Sequence, residues 1–422
     1  MLRFFLTSNM TRVIKTPKTP IKTLIIIPNF RFLWISGCFD NISRWGDALI
    51  LALLIFDISG SAFHVASLFV LRWIPMLLFA PVSGFLSDHL NRKLLMMSTR
   101  GSSALIALII IVLLISNTIS VWHLQILSFG LGLCYTMDFA ARRTSIHDVA
   151  TSENMSSAMS LEIITNTFGK LAGPLFAGTL IAILNYTGAM ILILIFYTSS
   201  LIFVSLLKFQ YTVTKINIRD IKTSIATGIK IGFSHKMILG VFIGSIIYNG
   251  LAFSAEGIYP VIAEEHLNAG PFLTGLLISA LGAGTLVGAL MLSTLGNIRY
   301  QGRLFITGIF MQLLAALLFS LSDVYLLSYL CLFIGGLGNS LFSSMQTSIV
   351  LVQTDLKHRG AVLGTLGQCI GFCSMGGLII GFWASHFGVT AAVSINGTLG
   401  IILIALLFIL SPLVRQPIDI EK

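Results

Sequence analysis

Several ionisable residues stand in stretches that are otherwise apolar. Asp40, Arg44 and Asp47 follow one another at spacings of four and three, so one face of a helix carries all three. Arg72, Glu162, Lys170 and Glu256 are further ones. A charged group at the centre of a bilayer costs about 2.5–3.5 kcal/mol even on lenient scales, so it is paired, lines water or carries function. The first three read as an ion chain within one helix that faces a central cavity, with a plain structural pair between Asp40 and Arg44 as the alternative. Glu256 has no embedded basic residue in its own half of the chain, and a carboxyl of that kind suits the uptake and release of a proton. Counting 1.5 Å per residue places Asp47 and Glu256 at similar depths of roughly 27 Å. Asp47, Glu256 and Asp40 are therefore the candidates for carrying protons, unless Glu256 sits at the outer edge and faces water. Asn41, Asn166, Asn249, Asn339, Gln346, Gln368 and Tyr259, with Trp45 and Trp73, would suit the lining of a path for an amphipathic solute. Each can also serve as a packing or interhelical hydrogen-bond residue.

Composition says which elements hold these groups. The chain has 422 residues, 56% of them hydrophobic and 10% charged, with a mean hydropathy of +0.94. Soluble chains carry about 25% charged residues, and lipid is the solvent that removes the need for them. A helix crosses the hydrocarbon core with about 20 apolar residues. Twelve such stretches can be cut, at 30–56, 63–87, 94–115, 119–141, 157–184, 188–208, 238–263, 272–295, 303–321, 325–350, 360–385 and 389–411. The cuts fall at turn signals such as Ser59-Gly60-Ser61, Ser116-Asn117 and Asn185-Tyr186-Thr187-Gly188.

The loops after the odd-numbered stretches contain no Lys or Arg. The other side holds Arg92 and Lys93, Arg142 and Arg143, Arg299 and Arg303, Lys357 and Arg359, both tails and the long central loop. By the positive-inside rule both termini are cytoplasmic, in a multi-pass protein of a bacterial-type inner membrane. The expected fold is an all-α membrane protein with twelve transmembrane helices in two six-helix bundles. Residues 1–29 form a cytoplasmic N-terminal tail, 30–208 the first bundle, 209–237 a cytoplasmic central linker, 238–411 the second bundle and 412–422 a cytoplasmic C-terminal tail. In the linker, Ile218, Ile221, Ile225 and Ile229 recur at helical spacing. That pattern fits a helix lying on the inner leaflet or a cytoplasmic linker helix with no lipid role. The halves look like repeats. Thr144-Ser145-Ile146 with Val149 and Thr151 recurs, 203 residues on, as Thr347-Ser348-Ile349 with Val352 and Thr354, and Gly173 and Gly178 then meet Gly376 and Gly381.

Three motifs carry a family resemblance. The loop after the second stretch reads Gly84-Phe85-Leu86-Ser87-Asp88-His89-Leu90-Asn91-Arg92-Lys93. It resembles the signature between helices 2 and 3 of the major facilitator superfamily. The resemblance implies a gating latch: Gly84 for close approach, Asp88 facing a helix N-terminus of the other half, and Arg92 with Lys93, Arg92 bridging to Asp138. The equivalent loop of the second half, from Gly296 to Arg303, lacks the Asp, so the latch is one-sided. The fifth stretch carries Gly169, Gly173, Pro174 and Gly178, which resembles the glycine-proline motif of exporters in this superfamily, with Thr179 in place of a closing Gly. Gly46-Asp47 followed by Ser59-Gly60-Ser61-Ala62, and Asp355 to Gly360, resemble the drug:H+ antiporter group that includes macrolide and enterobactin-type siderophore exporters. The resemblance runs from about residue 30 to 410. It implies proton-coupled export of a small amphipathic molecule, a drug or siderophore-like metabolite, by alternating access between parallel repeats. An importer or a lipid mover on the same fold is the alternative, and a non-transporting receptor a further one.

Other classes fit poorly. The net charge of +10 is spread as short clusters between apolar runs and forms no nucleic-acid face. Cys38, Cys134, Cys331, Cys369 and Cys373 lack the spacing of a zinc site or redox pair. The eight histidines show no paired metal spacing. No Walker-type loop is present, so ATP is not the expected energy source. An enzyme, a metal and a cofactor are not expected. The expected energy source is the proton gradient, and the expected partners are a small-molecule substrate and membrane lipids around a monomer. Residues 1–28 hold Arg3, Arg12, Lys15, Lys18 and Lys22 without an acid and read as a cytoplasmic tail rather than a signal peptide.

Overall fold

The structure is a computed structural model that describes residues 24, 26–150, 155–208, 218–294, 300–355 and 358–411. Among these residues there is no strand. The first four membrane helices are α1 (Pro28–Ser59), α2 (Ala62–His89), α3 (Arg92–Ile115) and α4 (Val121–Val149). Met155–Ser205 is helical throughout except at Asn185, whose φ of 57° and ψ of −174° turn the chain back. Its limbs, 155–184 and 186–205, are α5 and α6. The reversal is plain from α1, where Trp34 bonds Thr165 of α5 and Ser36 bonds Ser200 of α6, each at 2.8 Å. The second half holds α7 (Lys236–Glu265), α8 (Pro271–Thr294), α9 (Gln301–Ser320), α10 (Tyr325–Gln353), α11 (Arg359–Phe387) and α12 (Val389–Leu410).

Ten stretches are long and apolar enough to cross a membrane. One of them is the folded-back α5 and α6, and α1 stands outside the ten although it has the length. Counted so, the described helices group into the expected twelve. The turns sit where the sequence places them. Gly60 caps α1 in the left-handed region at φ 58°, and Asn117 and Asn185 adopt φ of 54° and 57°, a conformation Asn tolerates better than most residues. Asn91 caps α3 by accepting from the backbone N–H of Lys93 and of Leu94. Large apolar side chains such as Ile183, Leu326 and Leu410 are more than half exposed, an outer surface that suits lipid.

Two helices are less regular than the sequence predicts. In α7 a π-helical turn, Tyr248–Phe253, interrupts the α-helix just before Glu256, and the helix breaks again at Gly257 and Ile258. Such turns recur at functional sites. Here Asn249 donates to the Ser245 carbonyl and Ser254 to the Gly250 carbonyl. The second irregular helix is α11, interrupted at Phe372.

The repeat of the sequence is a repeat of packing. Gly173 of α5 lies against Gly46 of α1, and its counterpart Gly376 of α11 lies against Gly250 of α7. Gly178 of α5 then meets Gly275 of α8, while Gly381 of α11 meets Ala66 of α2. Helices α5 and α11 thus fill the same place in each half, and each reaches across to the other half. Small residues four apart let these backbones touch. A Cβ at Gly178 would lie on the Pro271 carbonyl and Gly275. Gly178→Val will therefore destabilise the protein by about 1–3 kcal/mol, the usual range for overpacking, read as a lower unfolding temperature in detergent. Gly84→Ala is the control, because a Cβ there meets open space.

The linker helix, Ile218–Ser234, packs on the second half. Gly228 lies against Ala361 and Thr365 of α11, and Gly232 against Phe242 of α7. Ile229 and Phe233 on its other side are exposed. The side chains of Ile218, Ile221 and Lys222, and residues 1–23, 25, 209–217 and 412–422, lie outside the described residues.

Candidate functional site

The charges of α1 do not bond to one another, contrary to the expected chain along one helix. The two aspartates pair with other helices instead, while Arg44 bonds a neutral side chain of α1 and contacts a ring of α4. Asp40 takes Arg100 of α3, which also bonds Asp138 of α4 at 2.7 Å. Asp47 takes Arg72 of α2 at 2.5 Å, and Tyr197 of α6 donates to its second oxygen at 2.5 Å. Arg44 donates to the Asn41 carboxamide oxygen at 2.7 Å and stacks over Tyr135 at 4.2 Å and Trp45 at 5.1 Å. Side chains three and four apart on a helix are neighbours, but Asp40 and Asp47 pair across interfaces, and Arg44 uses its neighbour Asn41. Asn166 of α5 joins the same oxygen of Asn41 at 3.0 Å.

Arg100 and Arg142 are site residues that the sequence reading passed over. Arg100 lies inside the third stretch, and its signal was an Arg two turns in from the basic pair of the loop. Arg142 has the sequence setting of a loop charge, yet it is buried. It bonds both carboxylate oxygens of Glu162 at 2.6 and 2.7 Å and the Leu33 carbonyl of α1 at 3.1 Å. Gly37 makes the room, since a side chain there would collide with the Arg142 guanidinium.

Glu256 is not without a cation, as its own half had implied. Lys170 of α5 reaches it from the other half, with Nζ 2.9 Å from Oε2 and 3.2 Å from Oε1. Gln312 of α9 donates to Oε1 at 3.1 Å. Both charged side chains are more than nine-tenths buried. Lys170 also lies 5.3 Å above the Trp45 ring and 5.6 Å above Phe253. The expectation failed because the partner sits in the other half, which no reading of one half can find.

These groups border a cavity of about 90 Å³. Arg44, Trp45, Ala48 and Leu49 of α1 line it, with Phe69, Arg72 and Trp73 of α2, Lys170 and Pro174 of α5, Phe253, Glu256 and Pro260 of α7, and Ile278 of α8. Trp73 is edge-on to Phe253 at 5.0 Å, so aromatic contacts bridge the halves. Asp47 is fully buried behind Arg72 and is not among the lining residues. Neither are the other polar candidates. Asn249 bonds within α7, Gln346 of α10 donates to Ser245 of α7 at 2.7 Å, and Tyr259 is buried edge-on to Phe319. Asn339 and Gln368 are half-buried elsewhere.

The loop motif is built differently from its expected pairing. Asp138 belongs to Arg100, and Arg92 donates from Nε to the Ser87 carbonyl at 2.8 Å. Lys93 donates to the Ser205 and Leu207 carbonyls at 2.6 and 2.8 Å, at the C-terminal end of α6, where a cation meets the helix dipole. The Asp88 side chain and residues 295–299 lie outside the described residues. The glycine-proline motif serves two contacts. Gly169 and Gly173 bring α5 onto α1, while Pro174 and Gly178 bring it onto α8.

Comparison with known proteins agrees with this architecture. A family model described as transmembrane secretion effector matches residues 19–419. An uncharacterized MFS-type transporter of Bacillus subtilis, YfiS, is 25% identical over 260 residues, or 59% of this chain and 61% of that one. The chain thus spans about three-fifths of that relative's length. The staphyloferrin A transporter of Staphylococcus aureus is 22% identical over 337 residues, covering 77% of this chain and 82% of its own. Among solved structures, a POT family transporter in complex with 5-aminolevulinic acid superposes with a TM-score of 0.73 at 13% identity, over 93% of this chain and 96% of its own. The nucleoside transporter NupG (D323A mutant) gives 0.72 at 11% identity, over 90% and 99%.

Proposed function

The chain belongs to the transmembrane secretion effector family of major facilitator transporters, and on that premise we propose that it exports a small amphipathic molecule in exchange for protons. The exchange proceeds by alternating access in the cytoplasmic membrane, with both termini on the cytoplasmic side. The observation that carries this reading is the Lys170–Glu256 pair, which joins α5 of one half to α7 of the other at the wall of the cavity. In a rocking transporter, a bond between the halves at the substrate site is one that the cycle must break and remake. A proton on Glu256 removes the charge that holds Lys170. Asp47, whose carboxylate neutralises Arg72 in the cavity wall, is the second group whose protonation alters the site. Asp40 shares Arg100 with Asp138, a pairing that supports a role in holding the bundle together.

The aromatic and cationic lining suits a solute with an apolar body and polar ends. A drug or siderophore-like metabolite meets that description, and the Staphylococcus aureus relative named for staphyloferrin A supports the second. Everted membrane vesicles from cells with and without the gene test the reading, with a panel of fluorescent amphipathic solutes. With an acid lumen, protons leave as solute enters, so export predicts accumulation in the lumen that collapses when the pH gradient is dissipated. Accumulation only in right-side-out vesicles would replace export by import. Movement of fluorescent phospholipids alone would make the chain a lipid mover.

A further inference from the structure

We propose that the cavity is an anion site: its ligand presents a carboxylate, or an oxyanion of the same shape, to the guanidinium groups of Arg44 and Arg72. The inference rests on reading this cavity as the substrate site and names the chemistry that the site selects. Three cations line the cavity: Arg44, Arg72 and Lys170. Two of them have a carboxylate, Asp47 for Arg72 and Glu256 for Lys170. Among the described residues no carboxylate bonds Arg44, which uses one nitrogen on the neutral Asn41 side chain. The wall therefore carries one guanidinium to which no carboxylate is bonded among the described residues, although Arg44 is more than nine-tenths buried.

Hydrogen-bond donors repeat the point. Nε of Arg44, Nη1 of Arg72 and Nε1 of Trp45 are all buried and have no acceptor. A buried donor left unsatisfied forfeits its desolvation cost, and a charged one forfeits more. The three residues are adjacent, since Arg72 donates from Nη2 to the Arg44 carbonyl at 2.9 Å and the Arg44 guanidinium stacks by Trp45. The rings of Tyr135 and Trp45 flank the Arg44 guanidinium, and its Nε is left for a ligand. Planar guanidinium edges match carboxylates in a bidentate way that ammonium groups do not. The aromatic wall of Phe69, Trp73 and Phe253 then receives the apolar body of the same ligand. A cationic solute would meet the Arg44 guanidinium and leave all three donors unsatisfied.

The test uses purified protein in lipid nanodiscs and equilibrium dialysis of three radiolabelled probes of one shape: 1-naphthoate, 1-naphthalenemethanol and 1-naphthylmethylammonium. Empty nanodiscs correct for partition into lipid. The expected order is naphthoate first, by about tenfold over the alcohol, as a charge-assisted pair implies. The ammonium compound comes last. Arg44→Gln will bind naphthoate no better than the alcohol, and an unfolding temperature close to that of the unaltered protein shows that it is folded. Arg44→Lys will keep part of the preference. Equal binding of acid and alcohol by the unaltered protein, or tighter binding of the ammonium probe, overturns the proposal and needs no variant. No gradient enters the measurement, so an anion site without proton-driven transport would overturn the exchange reading alone.

Discussion

Glu256→Gln will abolish the solute accumulation that an imposed pH gradient drives and will leave the protein folded. The gradient sets the scale: one pH unit is worth about 1.4 kcal/mol per proton, or about tenfold accumulation for one proton exchanged per solute. The variant is expected to bring that ratio to about one while still equilibrating solute between two compartments. Folding survives because the substitution keeps the shape and an acceptor. The new carboxamide oxygen can still accept from Lys170 and from Gln312, which now bond Glu256 at 2.9–3.2 Å. Lys170 also keeps the faces of Trp45 and Phe253, and such contacts are worth about 0.5–2 kcal/mol. What disappears is a group able to change its charge.

Lys170→Gln separates coupling from latching. Both substitutions break the ion pair between α5 and α7, so a purely mechanical latch predicts the same defect for both. A proton-carrying Glu256 predicts that Lys170→Gln retains gradient-driven accumulation, with a changed dependence on outside pH. Gradient-driven accumulation by Glu256→Gln equal to that of the unaltered protein would remove Glu256 from the coupling step.

Much of the fold was legible in the sequence because lipid leaves few alternatives. Apolar runs and the turn signals at Gly60, Asn117 and Asn185 each report a local constraint, and each is realised in a helix or a turn. The repeat was legible through its glycines, since Gly173 and Gly376 are small for the same reason, the close approach of α1 and of α7. The site was legible as residues and not as partners. The sequence marks Asp40, Arg44, Asp47 and Glu256 as charges that need compensation, but compensation is a long-range matter. Lys170 and Glu256 are 86 residues apart and belong to different halves. Arg100 escaped notice because one Arg near the end of an apolar stretch looks like a flanking charge. Its importance follows only from the two carboxylates that other helices bring to it. The π-helical turn of α7 has no sequence signal that we recognise, although it is what precedes Glu256 in the chain.

Arg100→Met will be the most destabilising single substitution of a charged residue in the first bundle. One guanidinium serves Asp40 of α1 and Asp138 of α4, and all three side chains are more than nine-tenths buried. Removing it leaves two carboxylates facing each other without water. Breaking a buried pair costs about 3–5 kcal/mol, against a total stability of about 5–15 kcal/mol for an ordinary folded domain. The comparable variant at Arg142 strands only Glu162, whose side chain is 15% exposed and so retains some water. The expected result for Arg100→Met is a sharp loss of folded protein on size-exclusion chromatography in detergent and a lower unfolding temperature in what remains. The cost comes from stranded charge and not from lost packing, and a triple variant separates the two. Adding Asp40→Asn and Asp138→Asn to Arg100→Met leaves no charge in the cluster, and replacing a buried ion network by neutral groups is often close to neutral. The triple variant should therefore be more stable than the single one. If it is no better, the guanidinium acts by filling space, and the electrostatic account of the bundle is wrong. A rocking mechanism needs each half to move as a unit. Arg100 ties α1, α3 and α4 together, and Arg142 ties α1, α4 and α5. These charges lock one half internally, which leaves the Lys170–Glu256 pair as the charge contact across the cavity that can open while the bundles stay intact.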